Sequence, residues 1–214
     1  MTIRIMVVLF LTAMAHMSLL TVQVMAEKAA LNEAEYVRAS HRLDIAWREN
    51  SLNKAVHLNE NSMSLSDEEK NRLARIVSEC SKANGHDPFL LLALIEVESG
   101  YDGSAVSEKG AMGLLQVMPF VAQEMAGELD MDFENVSGLY DMETNVRIGS
   151  HYLGKLMQRY GNLTMALEAY NLGPAKLNTL IGEGRLKKRF TKKTLRVRDR
   201  LRRLAPSAPS QATA

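Results

Sequence analysis

Cysteine is almost missing from this chain. Of 214 residues only Cys80 is one, so no intrachain disulfide can brace the fold. Prolines number five, and tryptophan occurs once. No stretch alternates in the manner of a convincing strand, and no internal repeat emerges. His86 and His151 lack metal-ligand spacing and read as ordinary surface or core histidines. Net charge is nearly absent at +1, but that value conceals a split. From Glu27 to Gly184 there are 14 Lys and Arg against 24 Asp and Glu, whereas Arg185 to Arg203 holds 11 against one. An acidic body carries a basic tail.

What the chain does have is a length that suits one well-buried domain. Its first segment reads as an export element. Arg4 is the sole charge before Glu27, and Ile5 to Ala26 is apolar apart from His16, Gln23 and small hydroxyl residues. Val24-Met25-Ala26 suits cleavage before Glu27 as a signal peptide; the run is also close to the ~20 residues of a membrane anchor. Either way the protein is expected to be exported, to the periplasm, with membrane association through an uncleaved N-terminus as the second possibility.

The remainder is helical in pattern. Residues 27–63 read as a helical N-terminal extension with a turn-rich joint, "LNENSMSLSD", so that the compact domain spans 64–184. Ser66 and Glu69 form a capping box for a helix closing at Asn84-Gly85, with Leu73, Ile76, Val77 and Cys80 on one face. Cys80 reads as a small core residue. Asp87-Pro88 caps a second helix that Gly100 ends, and Pro119 opens a third. A longer helix is stopped by Gly161, and a following one by Gly173-Pro174. Val197, Leu201 and Leu204 make residues 185–204 an amphipathic basic helix docking on the body, which accounts for the basic charge without nucleic acid. Residues 205–214 read as a disordered tail. The fold class is all-α, with at most a minimal β element.

Within "LIEVESGYDGSAVSEKGAMGLLQVMP", Leu91, Leu94, Ile95 and Glu98 share a helix face at spacing 3, 4 and 7, whereas Glu96 points elsewhere. An acid ending an apolar face is either paired with an arginine or reaching solvent at the helix end, or it is functional. The negative end of the helix disfavours its ionised form by only ~0.3–1 kcal/mol. Burial against aliphatic side chains acts in the same direction and more strongly. A carboxyl kept protonated in a cleft is what cleaving a glycosidic bond requires. The loop that follows has Gly100, Gly103, Gly110 and Gly113 for close backbone approach to a ligand, and Ser104, Ser107 and Gln116 to bond sugar hydroxyls. Asp102, beyond Gly100, reads as a turn former.

Three blocks resemble the soluble lytic transglycosylases, lysozyme-like enzymes of bacterial peptidoglycan. They are Glu98-Ser99 with Ala105-Val106-Ser107 and Gly110 to Pro119; "NVRIGSHYL", Asn145 to Leu153; and "AYNLGP", Ala169 to Pro174. The resemblance implies a lysozyme-like α domain, with Glu98 as the single acid and then base. It implies that Ser107, Gln116, Met118, Tyr170 and Asn171 line the glycan cleft, although core packing would also suit Met118 and Tyr170. It implies a substrate-assisted reaction without metal or cofactor. Glu98 protonates the oxygen between N-acetylmuramic acid and N-acetylglucosamine, then takes a proton from the muramyl 6-hydroxyl to close a 1,6-anhydro ring. A lysozyme-type hydrolase on the same fold and a non-catalytic glycan-binding component of a wall-spanning machine are the alternatives. Peptidoglycan strands are the expected partner, together with a secretion, conjugation or motility apparatus. Leu115 and Leu172 stand where that family has Met and Ala, and the closing segment "FTKKTLRVRDRLRRL" lacks the family's tyrosine.

Overall fold

In the computed structural model, residues 46–205 are described without interruption, together with parts of 23–45. The expectations for most of the Ile5–Ala26 run and for the tail after Ala205 fall outside the described residues. No helix among the described residues is long and apolar enough to cross a membrane. The chain divides into two units, Met1–Trp47 and Arg48–Ala214. In the first, the described residues are helical and exposed apart from the half-buried Trp47.

The second unit begins with helical residues 48–57, followed by a 3-10 turn at Glu60–Ser62, α1 (Asp67–Asn84) and α2 (Pro88–Ser99). After a long loop come α3 (Pro119–Glu128), a 3-10 turn at Val136–Tyr140, α4 (Met142–Tyr160), α5 (Leu163–Leu172), α6 (Pro174–Gly182) and α7 (Arg189–Leu204). Isolated bridges Val106–Met112 and Met112–Val117 are the β structure among the described residues. The all-α expectation holds.

Local chemistry explains most boundaries. The capping box of α1 forms as expected: Ser66 Oγ accepts from Glu69 N at 3.3 Å, and Glu69 Oε2 accepts from Ser66 N at 2.8 Å. Asp87 caps α2 by accepting from Phe89 N, and Gly100 stops it in the left-handed conformation at φ 60°. Pro174 departs from expectation. Gly173-Pro174 does end α5, but Pro174 also opens α6, because a proline at the first helical position lacks an N–H that would find no partner there anyway.

α2 lies at the centre. Leu90 to Ile95 are all buried, and each leucine so placed contributes about 1.5–3 kcal/mol relative to an exposed one. α7 lies along α2 through Leu201, fully buried, with Leu195, Val197 and Leu204 partly so. Charge fixes its register at both ends of α2. Arg202 reaches the cap Asp87 at 2.7 Å, and Arg200 reaches Glu96 at 2.5 Å. The start of α7 is fastened by Glu168, buried in α5, which accepts from Thr191 N at 2.9 Å and Thr191 Oγ1 at 2.8 Å. The core also reaches further back than Ser64, where the compact domain was expected to begin. Leu52, Ala55 and Val56 are fully buried, as is Ser62, which donates to the Asn59 carbonyl. The apparent joint is part of the packed body.

Candidate active site

Glu98 sits in the last turn of α2, at the end of the face made by Leu91, Leu94 and Ile95, partly open to solvent. It has no hydrogen-bond or ion-pair partner among the described residues. Burial pushes its carboxyl up to about 7, and the Lys193 ammonium on α7 opposes that shift. Lys193 Nζ lies 3.5 Å from the carbonyl of Val97, the residue before Glu98. Glu96 is the opposite case. It accepts from Asn59 Nδ2 at 2.8 Å and Asn61 Nδ2 at 3.0 Å, and takes the Arg200 guanidinium on both oxygens. The arginine-paired glutamate at the helix end is therefore Glu96, not Glu98.

The glycine-rich loop is folded over the middle of the domain by a single buried side chain. Asn145 Oδ1 accepts from Leu115 N at 2.8 Å, while its Nδ2 donates to the carbonyls of Met112 and Leu139, both at 2.9 Å. Gly113, at φ 74°, passes so close that a Cβ there would lie 2.3 Å from both Asn145 Nδ2 and Leu139 O. Only glycine tolerates that approach together with that backbone angle. Gln116, at φ 48°, donates both amide hydrogens back into the loop, to Ala105 O at 3.1 Å and Gly113 O at 2.9 Å. This leaves its Oε1 as an acceptor for a ligand. Ser107 closes the neighbouring turn: its Oγ accepts from Ala111 N at 3.0 Å and retains its own hydrogen to donate.

Tyr170, on α5, donates its hydroxyl to the Leu115 carbonyl at 2.9 Å. Its ring meets that of Tyr152 at a centroid distance of 5.5 Å. Burial lifts the Tyr170 hydroxyl well above its ordinary range, and the negative charge of Glu98 adds to the effect. Gly149, on α4, makes room for this arrangement. A Cβ there would lie 2.7 Å from Leu115 Cδ1 and 3.0 Å from the Tyr170 oxygen.

Gln116, Met118, Tyr170 and Asn171 meet in one cavity of ≈260 Å³, together with Tyr152 and the exposed Phe120. Glu98 and Ser107 do not line that cavity. The charge of Glu98 acts on Tyr170 in its wall, and Ser107 belongs to the loop that carries Gln116. A larger cavity of ≈570 Å³ lies between α1, α3 and α4. Most of its charges are paired with one another, Glu128 with His151 and Lys155 and Glu143 with Arg147. The other candidates are structural. Asp102 accepts from Ser104 N and Oγ in an exposed turn. Cys80 is buried, its thiol pushed up by desolvation to about 11. His86 bonds the Ser150 carbonyl at 2.9 Å. No group of three or more His, Cys, Asp or Glu is placed to hold a metal ion among the described residues.

Residue-by-residue reading missed Asn145, Gly149, Tyr152 and Lys193. The first three had a signal, since spacings of 4 and 7 put them on one face of α4. Lys193 had none.

Known proteins are similar to this chain in sequence and in fold. The chain is 34% identical over 93 residues to a soluble lytic murein transglycosylase of Salmonella typhimurium, covering 42% of this chain and 14% of that protein. It is 30% identical over 145 residues to a membrane-bound lytic murein transglycosylase C of Actinobacillus pleuropneumoniae, covering 62% of this chain and 37% of the relative. The match thus spans well under half the length of these relatives. Among solved structures, the 70 kDa soluble lytic transglycosylase of Escherichia coli superposes with a TM-score of 0.51 at 24% identity, over 62% of this chain and 25% of that one. That likeness bears on the fold. The family model described as the transglycosylase SLT domain matches residues 75–192, from the middle of α1 through the start of α7, and the chain belongs to that family.

Proposed function

We propose that this protein is a lytic transglycosylase of murein that cuts the β-1,4 bond between N-acetylmuramic acid and N-acetylglucosamine without water. One observation carries the reading: Glu98 is a carboxyl with no partner among the described residues, pushed by burial to about 7, whose charge acts on Tyr170 in the wall of the tyrosine-lined cavity. The neighbouring acids are engaged, Glu96 by Arg200 and two asparagines and Asp102 by Ser104. Ordinary glycosidases divide acid and base between two carboxyl groups. Here Glu98 does both in turn. Protonated, it gives its hydrogen to the bridging oxygen as the bond to the muramyl anomeric carbon breaks. The substrate's own N-acetyl oxygen stabilises the cation that develops. Ionised, Glu98 then removes the proton of the muramyl 6-hydroxyl, whose oxygen closes on the anomeric carbon. The carboxyl is returned to its starting state.

Gln116 Oε1, the Ser107 hydroxyl and Asn171 would bond sugar hydroxyls and amides, and Met118 and Tyr152 would pack against ring faces. Tyr170 would hold the loop at Leu115 in register with Glu98. We place the reaction outside the cytoplasmic membrane, where murein lies, with the segment before Glu27 as export signal or anchor.

Mass analysis of purified murein digested by the protein tests this directly. Released fragments should end in anhydromuramyl residues, lighter by one water than reducing ends. Reducing ends would instead make the protein a hydrolase, and no release at all would make it a binding component.

A further inference from the structure

Helix α7 uses its cations in two ways. Thr191, Thr194 and Leu201 are buried against the body, and the arginines near that side are engaged. Arg202 reaches Asp87, Arg200 reaches Glu96, and Arg198 stands between Asp87 and Asp199. Lys192, Arg196 and Arg203 are different. At 3.6 residues per turn their spacing gathers them within about 40° of one another, on the side opposite the buried residues. Arg189 continues this row toward the start of the helix. All four are exposed, and none has a carboxylate partner among the described residues. Asp199, the one acid of the helix, is held by Arg198 at 2.7 Å.

The row has a shape as well as a charge. From Lys192 to Arg203 it runs about 17 Å along the outward side of a helix, and its three cations line neither of the cavities described above. A small anion is held by donors that converge on it. Cations diverging from a convex ridge gain most from a surface that presents many negative charges at once. The rest of the molecule reinforces the orientation. From Glu27 to Gly184 acids outnumber bases by 24 to 14, so an anionic surface that attracts α7 repels the remaining body. A bilayer containing anionic phospholipid has this character, and each Lys or Arg brought near one contributes about fivefold in affinity. Nucleic acid would suit the same charges but not the compartment; in choosing lipid, the inference rests on the murein-cleaving reading, which puts the protein outside the cytoplasm.

We propose that the outer face of α7, made by Lys192, Arg196 and Arg203 with Arg189 beside them, docks the protein on a membrane containing anionic phospholipid. Lys193, whose ammonium acts on Glu98, lies on the flank of α7 between this row and the buried face. The docking face therefore confines the enzyme to the membrane side of the murein without forming part of the cleft.

Sedimentation with vesicles tests this, using the full chain and the variant Lys192→Gln/Arg196→Gln/Arg203→Gln. Vesicles of phosphatidylcholine alone report what the apolar run before Glu27 contributes; vesicles of phosphatidylcholine and phosphatidylglycerol in equal parts add the charge. The parent should bind the mixed vesicles at least about tenfold more tightly than the neutral ones. The triple variant should lose about 10- to 100-fold on the mixed vesicles and nothing on the neutral ones. Its thermal melt should match the parent's, because the three side chains are exposed. Added salt should shrink the parent's preference, and Lys192→Arg/Arg196→Lys/Arg203→Lys should keep it. Glu98→Gln should bind both vesicles as the parent does, which separates docking from cleavage. Should the parent release no anhydromuramyl fragments yet keep its charge-dependent binding, the reaction assignment fails and the docking face stands. Equal binding of the parent to the two vesicles, an unaffected triple variant, or a variant that loses both vesicles alike would overturn the docking face and leave the reaction assignment intact. A DNA duplex or a polyol-phosphate polymer that binds the parent more tightly than the mixed vesicles do, and loses that binding in the triple variant, would refute the lipid assignment.

Discussion

Glu96 and Glu98 are separated by one residue on the same helix, yet their surroundings are opposite. Glu96, with its side chain 10% exposed, is surrounded by donors that arrive from residues 59–61 and from α7. Glu98 faces aliphatic side chains and a tyrosine wall, and the nearest cation, Lys193, reaches the Val97 carbonyl rather than the carboxyl itself. A carboxylate satisfied by an arginine and two amides holds the fold together. A carboxyl without donors keeps its proton and is free to transfer it. The helix supplies both positions, and the packing around them decides which one is free for the proposed chemistry.

The largest expected effect separates the two. Glu98→Gln should lower the rate of anhydromuramyl release by about 10²–10⁴-fold, the usual contribution of a general acid–base group. Glu96→Gln should retain most of the turnover and lose stability instead. Its cost is about 1–2 kcal/mol, discounted because the Arg200 side chain is two-fifths exposed and can recover solvent. Glu98→Gln should move stability the other way, with a defined pH dependence. The folded protein holds the Glu98 proton up to about pH 7, whereas an exposed glutamate gives it up near its ordinary 4.5. The parent therefore loses stability as pH rises from 4.5 to 7, by at most about 3 kcal/mol, and glutamine removes that loss. Thermal melts at pH 4.5 and pH 8 should show Glu98→Gln gaining only at the higher pH. Equal loss of activity in the two single variants would erase the distinction on which the site rests.

Asn145 comes next. Replacing it with alanine leaves the Leu115 N–H and the carbonyls of Met112 and Leu139 without their buried partner, at a cost of about 1–3 kcal/mol for each group that water cannot reach. The loop carrying Gln116 should loosen. Activity should fall with stability, and peptide amides from 112 to 117 should exchange faster with solvent. Gly149→Ala is a milder version of the same disturbance. Its added carbon presses on Leu115 and the Tyr170 hydroxyl, an overpacking worth about 1–3 kcal/mol. The reduction in kcat should exceed what the lost stability explains, because Tyr170 is displaced.

Much of this could be read from the sequence. The caps of α1 and α2, the stripe from Leu91 to Glu98 and the all-α class depend on residues within a few positions of one another. What could not be read depends on contacts across the chain. Leu52 and Val56 lie in a charged stretch whose pattern gives no hint that it is buried. Pro174 marks an end and a beginning at once, and only the end was legible. Which of the two glutamates meets an arginine was decided by α7, whose Arg200 lies 104 residues from Glu96. Lys193 belongs to the same class: nothing near it in sequence points to Glu98.

Lys193 therefore gives the smallest and sharpest test of the comparison. In the proposed reaction, protonation of the bridging oxygen requires neutral Glu98, so the rate should fall as pH rises through about 7. Lys193 stabilises the ionised form and holds that fall at a lower pH than burial alone would set. Lys193→Met should move the alkaline limb upward, by less than one pH unit because the lysine is exposed and screened. Lys193→Arg should restore the parental limb, and added salt should bring the parent toward Lys193→Met. Tyr170 faces Glu98 from α5 as a neutral phenol over this range and contributes no competing titration. A limb that shifts downward in Lys193→Met, or that ignores both lysine variants at low salt, would mean that the charge on α7 does not reach the acid. The contrast between the two glutamates would then rest on burial alone.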